Sequence, residues 1–159
     1  MATSIAMLQS LKSRESQRFM ADIFSREKRS WLMGRVRQRN TRPEMFVRKF
    51  LRSRGFRFRA QVRRLPGTPD IVLAKLKTAV FINGCFWHQH ARCSRAALPK
   101  TNQKFWAAKL RRNTERDMET RKLLRKLGWS VITLWECQLR NEQKRLACME
   151  TFARRLGQV

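Results

Sequence analysis

Acidic residues are scarce in this chain: 11 Asp and Glu stand against 37 Lys and Arg in 159 residues, a formal net charge of +26. Solubility needs far less. Self-repulsion at this level opposes compaction, so a polyanion, most simply a nucleic acid, is the natural partner. Arg-rich stretches such as Arg57-Phe58-Arg59 and Arg63-Arg64 supply planar forks that match phosphate and stack on bases. Histidine is scarcer still, with two residues, and there are four cysteines. Cysteines without a secretion signal point to a reducing, cytoplasmic setting and to metal rather than disulfides. No run of about 18 apolar residues exists, so no helix of this sequence reads as membrane-spanning. A disordered tail is also excluded, because 42% of the residues are hydrophobic, with five Trp and ten Phe. The length suits one domain with a real core. Residues 1–19 are Ser-rich and basic, like a transit peptide, but read better as a flexible extension before an internal start at Met20.

The few histidines are concentrated. His88 and His90 both lie in Gly84-Cys85-Phe86-Trp87-His88-Gln89-His90, closed by Cys93. Cys85, His90, Cys93 and the more distant Cys137 form a set suited to a closed tetrahedral zinc site. Cys137 reads equally well as a buried cysteine at a strand end. Cys148 reads as core on the apolar face of the last helix. His88, outside the zinc set, is free to act as a base. Asp70 follows Pro69 at the start of an apolar strand, a costly place for a carboxylate, and suits a hard cation such as Mg2+. Glu44, Glu115 and Asp117 fall on helices, where pairing with the abundant Arg is the ordinary explanation. Phe86, Trp87 and Trp106 form an aromatic group that can wedge between or stack on bases. Core packing is the simpler reading for Trp129 and Trp135.

The order of elements is mixed α/β. A first helix is predicted from about Ser25 towards Arg37. Thr41 and Glu44 have capping-box spacing with Pro43 in the first turn, and Gly55 ends that helix. Residues 56–60 alternate apolar and basic, as in a strand. Asp70–Ala74 and Thr78–Ile82, separated by Lys75-Leu76-Lys77, predict an antiparallel hairpin. Pairing Ala74 with Thr78 sets Asp70 opposite Ile82. A long helix follows from a cap near Thr101 to Leu127, stopped by Gly128. Trp129–Trp135 is a strand and Asn141 caps a last helix. The expectation is a single α/β domain, a small mixed central sheet flanked by helices.

These residues also carry a resemblance. Pro66-Gly67-Thr68-Pro69-Asp70, Phe81-Ile82-Asn83-Gly84-Cys85-Phe86-Trp87-His88, Asn102-Gln103-Lys104-Phe105-Trp106, Asn113-Thr114-Glu115-Arg116-Asp117 and the run from Gly128-Trp129 to Trp135-Glu136-Cys137 stand in an order that resembles the very short patch repair endonucleases. The likeness runs from about Met20 to Leu156. It implies a restriction-endonuclease-like fold. It implies Mg2+-dependent nicking of duplex DNA 5′ to the thymine of a T:G mismatch, which initiates repair. Residues 20–159 would be the endonuclease domain, with 20–40 a DNA-contacting helical region and 41–159 the nuclease core.

By position, Asp70 would be the principal Mg2+ ligand, helped by the backbone carbonyl of Ile82 and by Asn83 through a water. His88 would activate the attacking water. Asp117 would hold a water of the metal or orient His88. Cys85, His90, Cys93 and Cys137 would bind structural Zn2+. Phe86, Trp87 and Trp106 would intercalate, with Met33 entering from the minor groove. The resemblance further implies a monomeric bacterial enzyme without membrane attachment, nucleoid-associated when acting, with accessory mismatch-repair proteins as partners. Asn83 departs from the best-known member, which has a second histidine there; Asn can hydrogen-bond a water but cannot titrate. Two alternatives stand beside this reading. One is a non-catalytic zinc-stapled nucleic-acid-binding module, and the other is a nuclease of broader specificity.

Overall fold

The computed structural model describes Trp31 and residues 39–157. The extension at 1–19, Met33 and, apart from Trp31, the helix expected over 25–37 lie outside the described residues. Helix α1 spans Arg42–Ser53. Its start follows the sequence signal: the Glu44 carboxylate accepts from the Thr41 backbone N at 3.3 Å and from the Thr41 hydroxyl at 2.8 Å. Its end is set by Gly55, whose φ of +74° lets Gly55 N reach Arg52 O and Phe56 N reach Leu51 O. Short strands β1 (Arg59–Ala60) and β2 (Ile71–Leu73) follow, then β3 (Thr78–Asn83). Helix α2 runs Gln103–Lys126, strand β4 Ser130–Trp135, and helices α3 and α4 cover Glu136–Arg140 and Glu142–Arg155. The Asn141 side chain caps α4, accepting from Gln143 N and Lys144 N.

The four strands form one mixed sheet in the order β1-β2-β3-β4, with only the β3–β4 pair parallel. This is the small α/β sheet flanked by helices that the sequence pattern implies. One sheet face carries Ile71, Leu73, Val80, Ile132 and Leu134, packed with Val47 and Leu51 of α1 and with Met149 and Phe152 of α4. Alternation puts Val72, Ala79, Phe81 and Asn83 on the opposite face.

Four expectations need correction. The residues expected to form a strand over 56–60 pair only at Arg59–Ala60, opposite Val72 and Ile71. Helix α2 starts after an N-cap at Asn102, one residue beyond the expected Thr101. Strand β4 begins at Ser130 because Trp129 N is used to close α2, bonding Leu124 O at 3.0 Å. The fourth correction matters most. Ala74–Leu76 forms a 3-10 turn and Lys77 is left-handed at φ 43°, so the hairpin pairs Leu73, not Ala74, with Thr78. That one-residue shift sets Asp70 opposite Phe81 rather than Ile82. Because side chains alternate across a sheet, the expected register would have turned Asp70 towards the face on which Ile82 packs against the core. The observed register turns it to the other face.

Candidate active site and metal centre

On that face a cleft of about 970 Å³ opens between the C-terminal end of β3, the loop before β2 and one side of α2. Asp70, Asn83, His88 and Asp117 all line it. Asp70 is held by a buried Pro69 behind it and by the Ile82 N–H, which donates to Asp70 Oδ2 at 2.7 Å. Burial raises the Asp70 carboxyl from 3.8 to about 6, against the lowering effect of the Ile82 N–H; Glu44 raises it further, while Arg48 and His88 pull it down. Its Oδ1 has no hydrogen-bond donor among the described residues. A half-buried carboxylate with one free oxygen fits a hard cation.

His88 Nδ1 lies 2.5 Å from Asp117 Oδ2. The carboxylate can only accept, so Nδ1 carries the proton and the Nε2 lone pair is left for other work. Both side chains are largely enclosed, at 25% and 17% exposure. The expected alternative, Asp117 orienting His88, is the contact this geometry contains.

Beyond the cleft, the donor atoms of Cys85, His90, Cys93 and Cys137 lie within 4.8 Å of one another. His90 Nδ1 is 3.3 Å from Cys137 Sγ and 3.8 Å from Cys85 Sγ. Three sulfurs and one imidazole nitrogen at these separations fit a tetrahedral metal centre. Cys137 therefore belongs with the other three, brought in by the first turn of α3. Burial pushes the Cys85 thiol up to about 12, against the lowering effect of the Cys137 backbone N–H and with the Cys137 and Cys93 side chains raising it further, while the Arg95 backbone N–H lowers Cys93. A bound cation would displace these thiol protons. The loop is stapled locally, with Gln89 Nε2 donating to Phe86 O at 2.7 Å and to Ala96 O at 3.2 Å. Trp135 is not a core residue. It stacks on His90 with ring centroids 4.1 Å apart and holds the plane of that imidazole.

Phe86, Trp87 and Trp106 come together as expected, with centroids 5.1 to 6.0 Å apart in tilted and edge-on arrangements. Phe105, edge-on to Trp106 at 5.3 Å, is 59% exposed and extends this group into solvent. The Lys109 ammonium sits 5.4 Å from the Trp87 ring centre.

The sequence profile of the family described as DNA mismatch endonuclease Vsr matches residues 21–95. The type II nicking enzyme V.NmeAIP of Neisseria meningitidis serogroup A / serotype 4A is 44% identical over 140 residues, covering 88% of this chain and 97% of that protein. The type II nicking enzyme V.XorIIP of Xanthomonas oryzae pv. oryzae is 44% identical over 120 residues, 76% of this chain and 88% of its own length. The DNA mismatch endonuclease Vsr of Escherichia coli strain K12 is 38% identical over 125 residues, 79% of this chain and 80% of its own. The chain belongs to the Vsr family.

In this Vsr-family chain the structure adds a place in the cleft for Glu44, read from the sequence as a helix cap, and for Glu136, to which the sequence reading gave no role. Glu44 is paired with Arg48 at 3.1 Å, as the ordinary explanation of a helical acid requires. It also lines the Asp70 cleft. Its carboxylate is engaged by Asn40 N, Thr41 N, the Thr41 hydroxyl and Arg48, so it adds negative charge near Asp70 without being free to move. Glu136 reaches the same cleft and is bridged to Arg95 at 3.1 Å. Four carboxylates, Glu44, Asp70, Asp117 and Glu136, thus gather in one cleft of a chain with 11 acids in all. The place of Glu136 directly before Cys137 is the signal that could have found it. Glu115, by contrast, is exposed and makes only a loose pair with Arg111 at 3.7 Å.

Proposed function

We propose that this chain is a DNA endonuclease that nicks the thymine strand of a T:G mismatch 5′ to the thymine, with Mg2+ at Asp70 and structural Zn2+ at Cys85, His90, Cys93 and Cys137. The coarser activity, a nicking DNA endonuclease, follows from membership of the family and from relatives named as nicking enzymes. The observation that carries the finer reading is the His88–Asp117 pair facing the same cleft as the free oxygen of Asp70.

Phosphodiester hydrolysis requires a proton acceptor for the attacking water and a counter-charge for the reacting phosphate. His88 Nε2 takes the proton, and Asp117 stabilises the imidazolium and fixes its tautomer. Mg2+, when bound, supplies the counter-charge. Asp70 and the Ile82 carbonyl are the groups to hold it, with Asn83 offering its amide through a water. Phe86, Trp87 and Trp106 provide the selectivity. A wobble pair unstacks at lower cost than a matched pair, so the wedge penalises the intact duplex more. Lys109, Arg116 and Arg121 along α2 favour the phosphate backbone. A non-catalytic zinc-stapled binder would have no use for a histidine–carboxylate pair beside a half-buried aspartate.

The test is strand-specific nicking at moderate salt with Mg2+, on end-labelled duplexes carrying T:G or T:A. A nick in the thymine strand of T:G alone supports the proposal. Equal cutting of both duplexes removes the mismatch specificity, and no nick on either favours the binding module.

A further inference from the structure

Helix α2 meets the site along a single face. Trp106 contributes to the aromatic wedge, Asp117 holds His88, and Thr120 abuts Gly67 in the loop that carries Asp70. Asn113 lies between Trp106 and Asp117 at helical spacing, so the four side chains share one stripe. Asn113 Nδ2 donates to the Trp87 carbonyl at 3.2 Å. Its Oδ1 accepts from Arg116 at 3.4 Å, which fixes the orientation of the amide.

The Trp87 carbonyl belongs to the peptide that joins a wedge ring to the histidine of the cleft. The other end of that peptide, His88 N–H, donates to Gly84 O at 3.2 Å. A peptide unit is planar, so two hydrogen bonds at opposite ends fix its rotation. The Gly84 bond is local to the loop. The Asn113 bond is the tether to a separate rigid element, the same helix that carries Asp117. We propose that Asn113 is a positioning residue for nicking: by pinning the Trp87–His88 peptide to α2, it registers the wedge ring and His88 against Asp117 together. This rests on the nicking reading of the same cleft. Its consequence is that seating of Trp87 in DNA and alignment of His88 are not independent. A base that displaces Trp87 also rotates the peptide that sets His88.

The test compares wild type with Asn113→Asp, which keeps the shape and removes the donor, with Asn113→Ala, and with Asn113→Gln, which keeps a donor on a longer stem. Three quantities are measured: single-turnover nicking of a T:G duplex, binding of that duplex without Mg2+, and the NMR resonance of the His88 Nδ1 proton. Loss of register slows nicking by about 10- to 100-fold for Asn113→Asp and Asn113→Ala, since a displacement near 1 Å is enough for that. Binding stays within about threefold, because the change falls on the reaction rather than on complex formation. The Nδ1 proton resonance shifts or broadens at unchanged zinc content, and Asn113→Gln recovers part of the rate. Wild-type nicking with an unmoved resonance in Asn113→Asp overturns the proposal. So does a defect confined to binding or to mismatch discrimination, which would make Asn113 a base-reading residue instead. If wild type nicks no T:G duplex, the functional reading fails, and the His88 resonance alone decides the role of Asn113.

Discussion

His88 Nδ1 and Asp117 Oδ2 lie 2.5 Å apart although 29 residues separate them in the chain. The contact crosses from the loop after β3 to the middle of α2 and gives the histidine a defined tautomer. Its cost if broken is therefore chemical rather than structural. Asp117→Asn should lower the nicking rate by about 10²- to 10⁴-fold, as removal of a carboxylate that orients a base does elsewhere. Binding of the mismatch duplex should change little. Single-turnover rates and a binding isotherm in parallel check this, and an undiminished rate would remove Asp117 from the site.

Asp70 is a liability to the fold itself. Burial first, then Glu44, holds its carboxyl near 6 instead of 3.8. The folded state thus holds that proton more tightly than the unfolded chain. As pH rises through 3.8 towards 6 the contribution of Asp70 to stability is lost, and above about 6 its charge destabilises the fold. Asp70→Asn should be inactive yet, without added Mg2+, melt a few degrees above wild type at pH 7.5. The gap should close as pH falls towards 4. Mg2+ should raise the melting temperature of wild type at pH 7.5, less at pH 5.5, and not at all in the variant. Thermal melts across pH decide it; a variant that melts lower at pH 7.5 contradicts the sign.

The two histidines should separate cleanly. His90→Ala and Cys137→Ser remove donors from the four-residue cluster. They should lose zinc and melt at lower temperature, because structural metal binding contributes directly to folding. His88→Ala should keep a full zinc content and a wild-type response to chelators while nicking slowly. Metal analysis of the purified variants settles it. Zinc loss from His88→Ala would mean that the two roles are exchanged.

Gly67 is the point where the Asp70 loop touches α2. It has φ +72°, and a Cβ there would lie 2.3 Å from Thr120 Cγ2. Gly67→Ala meets both a left-handed backbone and that methyl, at a combined cost of roughly 1–3 kcal/mol. A fall of several degrees in melting temperature is expected, with reduced nicking because Asp70 sits three residues on. Pairing it with Thr120→Ser removes the methyl and should restore part of the stability but not the φ penalty. A double variant no better than Gly67→Ala would place the whole cost in the backbone.

Much of this was readable along the chain wherever the deciding contacts are local. The Thr41–Glu44 cap, the Gly55 and Gly128 stops and the Asn141 cap each depend on residues within a few positions. The hairpin was readable as a hairpin, but its register was not. Whether the turn used three residues or four depended on Ala74–Leu76 closing a 3-10 turn with Lys77 at φ 43°, a conformation that a lysine does not advertise. Trp135 misled because an apolar ring at a strand end suits a core as well as it suits the face of His90.

By itself, the sequence determined the overall sign of the partner, through its charge, and three of the four residues of the Cys/His cluster, because Cys85, His90 and Cys93 lie within one loop. It also determined where α1 starts and stops, where α2 stops and where α4 starts, because capping is short-range hydrogen bonding. The tertiary structure alone decided that Cys137 joins that cluster, that Asp70 faces the cleft, that Glu44 and Glu136 share it, and that α2 holds the Trp87 peptide and His88 at once. Those relationships join side chains distant in sequence. They exist only after the sheet register and the helix packing have brought those chains within hydrogen-bonding reach.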